Sequence, residues 1–233
     1  MEELSLYQRI AVWVLPVLFA ITVHETAHGW VARLLGDSTA QMLGRLTLNP
    51  IKHIDPVGTI LVPGLLLLLP GSFLFGWAKP VPINTRNLRQ PKRDMALVAV
   101  AGPLANLGMA LMWAVVTQIG LAMAADPITM LVKFLVYAGV AGVFINVVLM
   151  VLNLLPLPPL DGGRVLAGLL PVRAAYHFSR IEPYGFFILL GLLATGLLSQ
   201  ILWPPVSLML SLVGGAAGLS PQQFHLLLSV LMS

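Results

Sequence analysis

The chain has no cysteine among its 233 residues, which excludes disulfides and every thiolate metal site. A metal held by this protein must sit on nitrogen and oxygen ligands. Charge is almost as scarce: 9% of the residues are Asp, Glu, Lys or Arg against 58% hydrophobic, with a mean hydropathy of +0.91. A soluble domain carries about 25% charged residues, so this sequence cannot coat a globule in water. It is read as an integral membrane protein. The net charge of +4 is modest and sits in loops, which suits topology in a lipid bilayer better than a nucleic-acid partner.

What the chain has in abundance is apolar sequence. The first block, "MEELSLYQRIAVWVLPVLFAITVHETAHGWVARLLG", begins acidic and lacks a small-residue cleavage site. It also stays apolar too long for a signal peptide, so a retained spanning helix of about 20 residues or more is expected. Further apolar blocks cover 57–77, 95–125, 128–160, 184–203 and 206–232. Basic residues cluster from Arg33 to Lys52, from Lys79 to Arg93 and from Arg164 to Arg180, and loops rich in Lys and Arg face the cytoplasm. The block 57–77, broken by Pro63, Gly64, Pro70 and Gly71, then enters and leaves on one side. It is read as a re-entrant hairpin and, by its position, as a candidate gate.

The expected fold is an all-α polytopic membrane protein of about 4–6 transmembrane helices, with that hairpin and a small membrane-associated β element. Alternation around Thr47 and Leu48 predicts a short strand at 43–48, and "GWAKPVPIN" (76–84) predicts a partner edge strand, since its prolines rule out a central one. One transmembrane domain over 1–233 is expected, with core motifs within 7–175 and C-terminal helices across 181–233.

Within the first span stands "HETAH": His24, Glu25 and His28. Residues four apart share a helix face, so the H-E-x-x-H pattern offers two imidazole nitrogens to zinc and a carboxylate to take a proton from water. Alone the pattern is weak, and an ordinary surface helix is the alternative. Here His24 lies about 13 Å from the helix end at Arg33, nine residues at 1.5 Å each. Ionisable groups at such depth are costly and point to function.

Catalytic zinc takes three protein ligands and keeps a fourth position for water. Asp161 is the acid that ends a long apolar segment, "NLLPLPPLDGGRVL". Pro156, Pro158 and Pro159 interrupt the helix there, and Gly162 and Gly163 permit a tight turn afterwards. The alternative for Asp161 is a helix N-cap. Two histidines, Asp161 and Zn²⁺ sum to one positive charge, which ionised Glu25 cancels.

"HETAH" together with "NLLPLPPLDGG" resembles the two defining motifs of the site-2 proteases, the intramembrane zinc metalloproteases. "FGWAKPVPIN" and "VAVAGPLANL" are similar to the same family, and the resemblance runs from about residue 15 to 175. It implies one Zn²⁺ per chain on His24, His28 and Asp161, Glu25 as catalytic base, and hydrolysis of peptide bonds in or near transmembrane segments of membrane-protein substrates. It further implies a multi-pass protein of the cell membrane with its active site nearer the cytoplasmic side. On this reading the chain is expected to depart from many relatives in lacking a PDZ or CBS domain and the extra helix before H-E-x-x-H. A regulatory partner or a homo-oligomer is left open.

Two asparagines join the candidate list. Asn106 in "AGPLAN" would stabilise an oxyanion or orient substrate, or else bridge helices, and Asn153 would hold the proline segment. Asn146 is read as a bridge between helices, Gly102 and Gly108 as close-packing positions, and His53 as solvated at the interface. A substrate helix must unwind before cleavage, so it is expected to add as a strand along 43–48 or 76–83. The rival function is a metal-ion or proton-coupled transporter, since intramembrane His, Glu and Asp also build ion pathways.

Overall fold

The computed structural model describes residues 4–61, 76–125 and 129–232. Helix α1 (Leu6–Leu34) opens on a reciprocal cap, in which Gln8 Oε1 accepts from the Ser5 N–H at 2.9 Å and Ser5 Oγ accepts from the Gln8 N–H. It ends where Gly36 turns the backbone at φ +116°, a conformation that side chains with a Cβ disfavour. A short helix α2 (Thr39–Met42) follows. Helix α3 (Pro91–Ala122) starts with proline in its first turn, where a missing N–H costs nothing, and Asp94 Oδ2 accepts from the Gln90 N–H at 2.7 Å. Helix α4 (Met130–Asn153) is capped by Thr129.

Three hydrogen-bonded or packed junctions set the bundle. The Arg89 N–H donates to Leu35 O at 3.2 Å, so α1 ends where α3 begins and the two run antiparallel. Gln8 Nε2 meets Met130 Sδ at 3.4 Å, which puts the starts of α1 and α4 together. Helices α3 and α4 approach closely because glycine stands at the contact: a Cβ on Gly142 would strike the Trp113 ring, and one on Gly139 would strike Thr117. Helix α4 is the core of the bundle, with Ala138, Val140, Ala141, Val143 and Val147 buried.

Beyond Asn153 the prolines end α4, and the chain re-enters helix at α5 (Asp161–Leu169) and α6 (Val172–Ser179). Helices α7 (Glu182–Ala194), α8 (Leu197–Ala216) and α9 (Pro221–Met232) follow. Val206, Leu210 and Val213 of α8 and Phe224 and Leu228 of α9 join the α4 core. Among the described residues, four helices, α1, α3, α4 and α8, are long and apolar enough to cross a membrane.

The expected β element is not formed: no strand occurs among the described residues. In 43–48 the chain folds back on α2 instead, with Gly44 at φ +63° and the Arg45 N–H donating to Ala40 O at 2.8 Å. Residues 76–84 are irregular, because Pro80 and Pro82 have no N–H and the Lys79 N–H goes to His53 O at 2.9 Å. Most of the hairpin expected at 57–77 lies outside the described residues. On its flanks, Pro56–Leu61 makes a π-helical turn, and the Trp77 N–H donates to Gly58 O at 3.0 Å.

Candidate metal centre

His24 and His28 stand one turn apart on α1 and are both buried. His28 Nδ1 lies 2.7 Å from Val98 O of α3. A carbonyl only accepts, so that nitrogen carries the proton. His24 Nδ1 lies 2.6 Å from Asn106 Oδ1, while Asn106 Nδ2 donates to Asn146 Oδ1 at 2.9 Å and to Ala20 O at 3.3 Å. With its amide nitrogen engaged on α4 and α1, Asn106 presents its oxygen to His24, which fixes the second tautomer. A neutral ring so arranged presents a bare Nε2.

Both Nε2 atoms point to one place. They are 3.1 Å apart, and each is 3.2 Å from Asp161 Oδ2. Asp161 is the first residue of α5, and the N-cap position falls on extended Leu160 (φ −64°, ψ 159°), so Asp161 is not the N-cap. Apart from the two rings, Oδ2 is buried without a hydrogen-bond partner. Two bare nitrogens and a carboxylate oxygen at such distances repel one another unless a cation sits among them. Nitrogen and oxygen ligands at about 2.0–2.1 Å from a tetrahedral Zn²⁺ are separated by about 3.3 Å, so the observed spacing fits that ion. His24, His28 and Asp161 form a potential metal-binding group among the described residues.

The surroundings hold these groups in place. Gly102 of α3 faces the rings, and a Cβ there would lie 2.5 Å from His28 Nε2 and 2.6 Å from His24 Cε1. At Gly108, also expected to be a close-packing position, an added Cβ would meet nothing within 4 Å among the described residues. Gly162 and Gly163 let the start of α5 fold against Leu154 O and Pro158 N. Asn153 Nδ2 donates to Leu149 O of its own helix at 3.0 Å.

Glu25, half-buried beside the histidines, accepts the Val81 N–H on Oε2 at 2.7 Å. Val81 falls within "FGWAKPVPIN", and Val98 and Gly102 fall within "VAVAGPLANL", but neither stretch tells by sequence that a backbone N–H, a backbone carbonyl and a bare Cα face this site. His53, expected in water, is instead buried, because the turn Pro50–His53 folds onto α1 and gives its Nε2 an acceptor in Thr47 O at 2.9 Å.

Comparison with known proteins agrees with this geometry. Residues 118–195 match the model of peptidase family M50. The chain is 42% identical over 195 residues to YwhC of Bacillus subtilis, named as a zinc metalloprotease, covering 82% of this chain and 84% of that one. It is 32% identical over 185 residues to Rip2 of Mycolicibacterium smegmatis, also named as a zinc metalloprotease, covering 78% of this chain and 66% of the relative. No solved structure matches it significantly. From the paired motifs in its helices to the length of its likeness with YwhC, this chain belongs to peptidase family M50, the site-2 proteases.

Proposed function

We propose that the protein is an intramembrane zinc endopeptidase in which His24, His28 and Asp161 hold one Zn²⁺ and Glu25 is the catalytic base. The observation that carries this is the convergence of two bare imidazole nitrogens and a buried carboxylate oxygen within 3.2 Å of one another, with Glu25 adjoining His24 on the same helix. Bound there, zinc supplies a Lewis acid for the scissile carbonyl and brings water into the range where a carboxylate deprotonates it. Glu25 takes a proton from water and delivers it to the leaving nitrogen. Asn106 and Val98 O keep the rings in the ligand tautomer. With its amide nitrogen already engaged, Asn106 acts on His24 and not on the oxyanion. Membership of a peptidase family leaves no support for the transporter alternative.

The substrate is a transmembrane protein segment, opened locally and laid along 76–83 beside Glu25, or along 43–48. The nearness of Val81 to Glu25 favours the first. The site faces the cytoplasmic side of the cell membrane, since all basic residues except Arg9 and Lys133 lie in or beside segments at the Arg33 end of α1. Residues 1–233 act as one domain, with α8 and α9 packed on α4 and α7 packed on α8. The hydrogen bond between Gly58 and Trp77 brings the two flanks of the hairpin segment together, which suits a re-entrant gate.

Zinc per chain, measured on detergent-purified protein, tests the ligand set. Wild type binds about one zinc and Asp161→Ala loses it, while Glu25→Gln keeps the metal and abolishes cleavage of a membrane-embedded peptide. Full zinc in Asp161→Ala would remove that residue from the site, and absence of zinc from reloaded wild type would overturn the protease reading.

A further inference from the structure

Val81 stands between two prolines, in "KPVPIN". Pro80 and Pro82 carry no N–H, so Val81 supplies the one backbone donor in that tripeptide. That donor goes to Glu25 Oε2 at 2.7 Å, across a sequence separation of 56 residues. The Val81 side chain is buried and lies against Gly29, one turn beyond Glu25 on α1, where an added Cβ would meet Val81 Cγ1 at 3.0 Å and Leu46 Cδ1 at 3.0 Å. Glycine at that position leaves a notch into which the valine sits, and the notch sets the height of the N–H above the glutamate.

The segment carrying Val81 is tied on both sides. Before it, the Lys79 N–H donates to His53 O at 2.9 Å, and Arg45 Nη2 donates to Lys79 O at 2.9 Å and to Pro80 O at 3.3 Å. After it, the Asn84 N–H donates to Asp37 Oδ2 at 2.7 Å. Asp37, just past the end of α1, is itself buried and also accepts from Thr39 and Asn87. The donor on Val81 is therefore pre-placed from both ends of the segment, and Glu25 is the mobile partner, with three rotatable side-chain bonds to order.

We infer that Val81 is a positioning residue for proton transfer: its backbone N–H, seated by the Gly29 notch, anchors one oxygen of Glu25 and leaves the other to exchange protons with water and the leaving nitrogen. This rests on the reading of Glu25 as the base. It assigns a role to the "PVP" sequence that the substrate-docking reading does not contain, because the group in question is held by the enzyme's own carboxylate.

The experiment has one readout that needs no turnover and one that does. In the full-length protein in detergent, hydrogen exchange at Val81 is followed with Glu25 intact and with Glu25→Ala; the flanking prolines make this the single exchanging amide between Lys79 and Ile83. Protection present in wild type and lost in Glu25→Ala is expected. Equal exchange in both would overturn the inference. Replacing Val81 by its α-hydroxy acid then removes only the N–H. On a membrane-embedded peptide, kcat is expected to fall about 10- to 100-fold, as for loss of a hydrogen bond to a charged group, with KM and zinc content unchanged. In a Glu25→Asp background, whose shortened side chain has already given up the contact, the same replacement costs nothing more. Turnover by the ester equal to or faster than wild type would overturn the inference. As a second route, Gly29→Ala displaces Val81 and lowers kcat, and Gly29→Ala with Val81→Ala recovers part of it by removing the methyl groups that the new Cβ meets. Failure of wild type to cleave, with Val81 protection still dependent on Glu25, would count against the protease reading while leaving the contact itself in place.

Discussion

At the scale of single residues, the centre depends as much on what holds the ligands as on the ligands. Asn106 touches neither Asp161 nor Glu25 in any hydrogen bond, yet its oxygen fixes the His24 ring and its nitrogen ties α3 to α1 and α4. Asn106→Ala should weaken zinc about 10- to 100-fold, read by competition with a chelator of known affinity, while unchanged affinity would make the bond to His24 incidental. Gly102→Ala should act more severely, since its Cβ falls 2.5 Å from His28 Nε2; zinc content near zero in a protein that still purifies as wild type does is the expected result. The proposed ligands were legible in the sequence because chemistry demands their types and spacing: His24 and His28 one turn apart, and an acid after a run of prolines. The residues that hold them were not. A backbone carbonyl such as Val98 O has no sequence signature, Gly102 looks like any close-packing glycine, and the burial of His53 depends on a turn folding onto a helix far from it in the chain.

At the scale of elements, two connections decide where the site groups lie. The proline segment before α5 carries Asp161, and it is held down by α7, where a Cβ on Gly185 would strike Pro158 O. Gly185→Ala must move that backbone, so zinc content should fall although residue 185 lies outside both motifs. Zinc equal to wild type would show that the segment is held elsewhere. The second connection is the clamp at Asp37, outside the spanning helices. Burial alone would raise its carboxyl, but hydrogen bonds from Thr39, Asn87 and Asn84 outweigh it and hold the group below the usual carboxylate range. A lowered folded value stabilises the protein at pH above the ordinary carboxylate value of about 3.9, and the contribution disappears as pH falls through the folded value. Asp37→Asn should therefore cost about 1.5–3 kcal/mol at neutral pH, seen as a lower unfolding midpoint in detergent, with the gap to wild type closing in acid. A gap independent of pH would assign the effect to packing. The long helices themselves were readable from apolar length. The β element was not, because Pro80, Pro82 and Gly44 prevent a ladder, and the donors and acceptors of 76–84 go to side chains and to isolated carbonyls.

At the scale of the whole molecule, three of the four long apolar helices, α1, α3 and α4, and their alternation with basic loops were legible because the bilayer imposes length and charge rules on every span. Helix α8 instead straddles the apolar blocks 184–203 and 206–232, since Gly196 at φ +74° ends α7 and restarts the helix at Leu197. The central place of α4 was not legible, since its sequence is no more apolar on one side than a lipid-facing helix would be, and only the contacts of α1, α3, α8 and α9 around it reveal which spans are covered. The resulting arrangement makes a strong topological statement. The end of α1 and the start of α3 share one side, joined through Arg89 and Leu35, and Lys92 Nζ donates to Leu170 O, which brings the region after α5 to that side as well. Arg9 and Lys133 alone among the basic residues stand at the other side. Because the chain contains no cysteine, single substitutions report position without background. Thr85→Cys and Ala174→Cys should react with a membrane-impermeant maleimide only after the cytoplasmic face is exposed, whereas Ala124→Cys, past the far end of α3, should react on intact cells. The reverse pattern would place the metal centre nearer the outer face, and substrate would then have to approach it from there.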